Sequence, residues 1–121
     1  MANDYDTTAR NVGVDAIAAA CTRVALHSGD PGAANTAANE LSGGGYARGT
    51  LAWNAAAGGI ATLNGNVDIS IEAGDTVAWI SFWNTAGTVR YLKKDVTDEA
   101  FGGAGTYRLL GTTTTLDLND A

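Results

Sequence analysis

The chain has 121 residues, enough for one ordinary domain, and area scaling predicts that a domain of this size buries roughly two-thirds of its unfolded surface. A formal net charge of −6, with seven Lys and Arg residues that form no basic run, argues against nucleic acid as a partner. One cysteine, Cys21, excludes an internal disulfide and a Cys-based zinc site, and no run of about 18 apolar residues offers a membrane helix.

The hydrophobic share of 45% is largely alanine, so the bulky core must come from Val, Ile, Leu and nine aromatics, a thin supply that favours burial against neighbouring subunits. Gly 16 with Pro 1 suits turn-rich sheet structure rather than a Pro-rich linker. Ala16 to Cys21 is too short and too weakly hydrophobic for a signal-peptide core, so the chain is expected to start near Met1 and to be made in a cytoplasm.

From the N-terminus, Asp6, Thr7 or Thr8 caps a helix running to about Ala20, with Val12, Ala16, Ala19 and Ala20 on one stripe and Arg10, Asp15 and Thr22 on the other face. Arg23 to His27 reads as a strand, stopped by the turn Ser28-Gly29-Asp30-Pro31-Gly32. The following stretch to Gly45 is a polar, Ala- and Gly-rich excursion, expected to be mobile or to be ordered by a partner. Tyr46 to Trp53 and Ile60 to Leu63 read as strands, and Asn64-Gly65-Asn66 is a hairpin signal before a strand in which Val67, Ile69 and Ile71 alternate with Asp68, Ser70 and Glu72.

Thr76 to Trp83 is the most apolar strand. Strict alternation places Val77, Trp79 and Trp83 on one face and Ala78, Ile80 and Phe82 on the other, so both faces need cover from an opposite sheet, the helix, the long excursion or another subunit. Thr88 to Lys93 reads as a short strand, Lys93 to Glu99 as a charged connection, and Thr106 to Leu118 as one long or two short strands with Gly111 marking a bulge. The sum is a mainly β single domain over residues 1–121, an antiparallel β-sandwich of seven or eight strands with an N-terminal helical arm at 1–22 and a long loop at 28–45.

Chemistry finds little purchase. His27, the sole histidine, lies beside Ser28 and Asp30, but neighbours on a strand point to opposite faces and no nucleophile elbow surrounds Ser28. Gly43-Gly44-Gly45 lacks the Gly-Lys-Ser or Gly-Lys-Thr of a phosphate cradle. Asp95, Asp98 and Glu99 cluster as calcium or acid–base candidates, yet the reading favoured for them is a solvated charged segment, and no metal or other cofactor is assigned. Trp53, Trp79 and Trp83 suit core packing first and a sugar-stacking platform second.

The segment Ala25-Leu26-His27-Ser28-Gly29-Asp30-Pro31-Gly32, followed by Asn39-Glu40-Leu41-Ser42-Gly43-Gly44-Gly45-Tyr46-Ala47-Arg48, resembles small tail-fibre-like or minor tail proteins of tailed bacteriophages, with Leu41 in place of the usual Val. Asp95 to Gly102 and Gly105-Thr106-Tyr107 are similar to the closing part of such chains. The resemblance implies a non-enzymatic virion structural protein and does not decide between tail and head; the first choice is a tail-associated protein working through contacts with other virion proteins and with copies of itself. The alternatives are a head decoration protein that cements the shell, and a carbohydrate-binding module for host attachment. The expected interface comprises Val77, Trp79, Ile80, Phe82 and Trp83 with Asp30, Pro31, Tyr46 and Arg48.

Overall fold

The computed structural model describes residues 5–118. One helix, α1 (Thr7–Ala20), precedes eight strands: β1 (Arg23–His27), β2 (Gly49–Thr50), β3 (Ile60–Thr62), β4 (Val67–Ile71), β5 (Thr76–Trp83), β6 (Arg90–Ala100), β7 (Gly105–Leu109) and β8 (Thr115–Asp117). Every pairing is antiparallel, in a four-stranded sheet ordered β2-β1-β5-β6 and in two-stranded pairs β3-β8 and β4-β7. The expected mainly β sandwich with one N-terminal helix is therefore present.

Its core lies between these layers. The β1–β5 register sets Val24 opposite Phe82 and Leu26 opposite Ile80, and these four meet Ile69 and Ile71 of β4, Leu109 of β7, Ala61 of β3 and Leu116 of β8. Phe82 is 1% exposed, and burying such a ring stabilises by roughly 1.5–3 kcal/mol. Trp53 closes one side of the core edge-on to Phe82 at 5.7 Å, with its indole N–H donated to the Cys21 carbonyl. Cys21 is itself buried, which pushes its thiol up to about 11 and leaves it a small hydrophobe.

Several expectations need correction. The buried stripe of α1 is Val14 and Ala18, with Ile17 packed beside them, whereas Val12 is 67% exposed. The polar side is not merely solvated either, because Asp15 accepts from the Ala56 N–H and Asn11 from the Gly59 N–H, tying α1 to the 54–60 loop. The Tyr46 to Trp53 strand shrinks to Gly49–Thr50, since its flanking residues spend their hydrogen bonds on loop contacts.

Asn64-Gly65-Asn66 is a turn but not a hairpin. β3 pairs with β8 and β4 with β7, so this turn carries the chain from one pair to another, and the C-terminal strands outcompete the local partner. The Asn66 side chain accepts the Gly111 N–H, which brings that second turn across the first. In β5 a register shift between Val77 and Trp79 breaks the alternation, so Val77 joins Ile80 and Phe82 in the core instead of siding with Trp79. Finally, the expected short strand and charged connection after Thr88 are one strand, β6, whose first and last residues are Arg90 and Ala100.

Candidate functional site

The outer face of β1 and β5 carries the polar residues of the two strands. The register sets Arg23 opposite Trp83, Ala25 opposite Ser81 and His27 opposite Trp79. His27 Nδ1 lies 2.9 Å from the Ala38 carbonyl, which can only accept, so Nδ1 carries the proton and Nε2 accepts from the Ser81 hydroxyl at 2.7 Å. The Ser81 oxygen in turn accepts the Trp83 indole N–H at 2.7 Å. Trp83, Ser81, His27 and Ala38 thus form one satisfied buried chain of donors and acceptors.

Burial is the main cause that pushes the His27 imidazole below the ordinary histidine range and keeps it neutral. A Ser–His pair at this distance has the donor–acceptor relation of an activated nucleophile, but His27 and Ser81 are both 0% exposed and the serine oxygen also holds the indole. No substrate reaches it. Ser81 escaped the sequence reading, which paired His27 only with its chain neighbours. The available signal was a lone hydroxyl inside the most apolar strand, because a buried hydroxyl requires a partner.

The excursion after His27 folds back over this face. Asp30 accepts the Gly32 N–H in a tight turn and the Lys93 ammonium at 2.7 Å, while Pro31 is buried. Arg90 spreads its guanidinium over three loop carbonyls, those of Gly32, Ala33 and Thr36, at 2.8, 3.0 and 2.6 Å, and the Arg90 N–H is donated to Asn35. Backbone bonds from Ser28 to Asn39 and from Leu41 to Leu26 close the base of the loop. The excursion is therefore held by side chains of its own chain, chiefly from β6. It is the cover that the second face of β5 required.

The loop's far end is pinned by Glu40. Arg48 donates to both carboxylate oxygens at 2.9 and 2.8 Å, Tyr46 donates its hydroxyl to one of them at 2.7 Å, and the Tyr46 oxygen accepts the Leu26 N–H. Burial alone would raise the Glu40 carboxyl, but the bonds from Arg48 and Tyr46 outweigh it and hold the group below the usual carboxylate range. Burial likewise raises the Tyr46 phenol. The Arg48 guanidinium lies over the Trp83 ring at 4.3 Å, joining this cluster to the Ser81–His27 chain.

The triple glycine between Glu40 and Tyr46 has a steric cause. All three residues have positive φ, and a Cβ on Gly44 would lie 2.7 Å from the Glu72 Cα at the end of β4. The loop presses its backbone onto another backbone there, which is a packing requirement and leaves no phosphate cradle.

The residues expected at an interface thus fall into two groups. Val77, Ile80 and Phe82 lie in the chain's own core, while Asp30, Pro31, Tyr46, Arg48, Trp79 and Trp83 come together on the covered outer face. Trp83 is 2% exposed, and Trp53 is partly buried and engaged with Cys21 and Phe82. Asp95, Asp98 and Glu99 stand along β6, and among the described residues no group of three or more potential ligands converges on a metal position.

β6 is the exposed element of the sheet. It pairs with β5 on one side, among the described residues no strand pairs with its other edge, and Tyr91 and Leu92 stand 45% and 36% exposed on it. A groove separates it from β7, lined by Lys94, Val96, Asp98 and Glu99 on one bank and Tyr107 and Arg108 on the other.

Compared with protein families, residues 5–107 match the family described as podophage GP4 fiber I protein gp80. The chain belongs to this family. The match spans α1 through most of β7, and so includes both segments whose residues resemble tail-fibre-like proteins. No curated protein and no solved structure matches the chain. Membership of this fibre family makes the chain a structural protein of the phage particle.

Proposed function

We propose that this chain is a non-enzymatic, tail-associated fibre component that works through protein–protein contacts with other virion proteins and with copies of itself. The family match across residues 5–107 carries the reading, since it takes in α1, the four-stranded sheet with all of β6, and the loop cover. Two features of the fold support it. The one nucleophile–base pair in the chemistry-bearing region is sealed and spent on holding the loop. The longest strand, by contrast, keeps an open edge. Within the expected interface set, Asp30, Trp79 and Arg48 retain partial exposure and form the part of the covered face that a neighbour can touch.

Quantitative mass spectrometry of purified virions, with antibody labelling under the electron microscope, tests this. The expected result is a low copy number with label at the tail. Absence from virions overturns the reading, and so does label spread over the shell in proportion to the capsid protein, which is the behaviour of a head decoration protein.

A further inference from the structure

The asparagines of the chain divide by what their side chains hold. Asn11 accepts the Gly59 N–H, Asn35 the Arg90 N–H and Asn66 the Gly111 N–H. Asn39 donates to the Asp30 carbonyl and Asn54 to the Thr62 hydroxyl, while Asn84 donates to the Thr88 hydroxyl and accepts the Thr88 and Val89 N–H groups. Asn64 is the exception. Among the described residues its side chain makes no hydrogen bond, and it stands exposed beside an exposed Gly65.

The same residue is the described asparagine that a glycine follows. Val12, Thr36, Glu40, Ala55, Val67 and Thr85 follow the others, and each carries a Cβ that shields its backbone nitrogen from the preceding side chain. Gly65 has φ +82°, nothing lies within 4 Å of where its Cβ would stand, and its N–H donates to no group among the described residues. A groove of about 450 Å³, lined by Leu63, Gly65, Asn66, Gly111 and Thr112 among others, opens this turn to water. An amide carbon and an uncommitted nitrogen held in one dipeptide make the attack of one on the other unimolecular.

We propose that Asn64 is a site of spontaneous covalent modification, passing through a cyclic imide to aspartate and isoaspartate. The Gly65 nitrogen gives up its proton and bonds to the Asn64 side-chain amide carbon, the bond from that carbon to Nδ2 breaks, and ammonia leaves. Water then adds to either carbonyl of the imide and breaks that carbonyl's bond to the Gly65 nitrogen. One amide and one water thus become one carboxylate and one ammonium, with no change of oxidation state. Opening at the side-chain carbonyl leaves aspartate, and opening at the main-chain carbonyl leaves isoaspartate, whose main chain runs through the former Cβ. Both products add a negative charge, but isoaspartate also lengthens the turn where room is short. The Asn64 N–H is bonded to the Ala52 carbonyl at 2.7 Å, Asn66 holds the Gly111 N–H at 2.8 Å, and a Cβ on Gly111 would stand 2.9 Å from the Gly65 oxygen. The added carbon therefore displaces Gly65 against the crossing turn. This chemistry goes beyond the proposed function and does not depend on where the chain sits in the virion.

The experiment is peptide mapping by mass spectrometry of the purified full-length protein after incubation in warm, mildly alkaline buffer, folded and, in parallel, unfolded in guanidinium chloride, with Asn64→Ser as control. The expected result in the folded protein is a gain of about 1 Da, placed on Asn64 by electron-transfer fragmentation and divided between aspartate and isoaspartate. It should precede any gain at the other described asparagines and be missing from Asn64→Ser. Folded chains enriched in isoaspartate should unfold at lower urea than Asn64→Asp, which carries the charge without the added carbon. A folded sample that stays unmodified at Asn64, whatever the unfolded sample does, overturns the proposal, and so does a gain that reaches Asn66 as early as Asn64. Equal urea midpoints for the isoaspartate chain and Asn64→Asp overturn the strained crossing.

Discussion

The two long sides of the four-stranded sheet treat charge in opposite ways. On the covered face, Glu40, Arg48, Tyr46, His27 and Ser81 each have named partners within the chain, and the basic side chains Arg90 and Lys93 reach from β6 to hold the loop's carbonyls and Asp30. Along the far edge of β6, Lys94, Asp95 and Asp98 make no ion pair among the described residues and stand in solvent. A polar group that is buried must be satisfied inside the chain, whereas one at an open edge stays available. The covered face is therefore where stability is concentrated, and the edge is where association has room to act.

Breaking the covered face should cost far more than altering the edge. The largest effect is expected from Gly44→Ala, which forces an alanine into φ +58° and drives its Cβ onto the Glu72 backbone, a loss of about 3 kcal/mol in urea unfolding. His27→Leu comes next. It leaves the buried Ser81 hydroxyl with no acceptor for its proton, although its oxygen still holds the Trp83 indole, and turns the carbonyl of the exposed Ala38 over to water, at about 1–2 kcal/mol, and should leave the secondary structure visible by circular dichroism.

The natural chain carries a pH signature of the same histidine. Its folded pKa lies below the unfolded value, so the unfolded state takes up the proton first. Stability is at its full value above about pH 6.5, falls as the pH drops below it, and stops falling on this account once the folded pKa is passed. Unfolding curves of the natural chain and of His27→Leu across that window should differ in slope, and equal slopes would show that His27 does not titrate as its burial requires.

The smallest effect belongs to the edge. Lys94→Ala removes an exposed side chain with no ion-pair partner in its own chain, so the monomer's melting temperature should not move measurably. A clear loss of monomer stability would mean that β6 is as closed as the covered face and would remove the contrast between them.

How far the sequence was legible follows the range of the interactions. β1 and β5 are legible with their observed bounds, and β4 to within one residue, because alternation and turn residues act over a few positions. The buried stripe of α1 was misplaced because alanine contributes little to either face, and the sandwich chose Val14, Ile17 and Ala18 over Val12. β6 was divided in two because its charges look like a loop. An edge strand needs no apolar alternation when its backbone is held by β5 and its side chains remain in water.

Of the candidate site, the sequence singles out only some residues and none of their partners. His27, Asp30, Tyr46 and Arg48 are legible, yet the hydroxyl that answers His27 lies 54 positions away and the cations that hold the loop lie about 60 away. By itself the sequence determined a single acidic, mainly β chain with a helix, a glycine-rich loop and a strand apolar on both faces, since these depend on composition and short-range period. The tertiary structure alone decided that the loop supplies the second cover, that β3 and β4 pair with the C-terminal strands, and that β6 is left with an open edge. Those outcomes depend on which distant groups satisfy one another, and no local pattern records that.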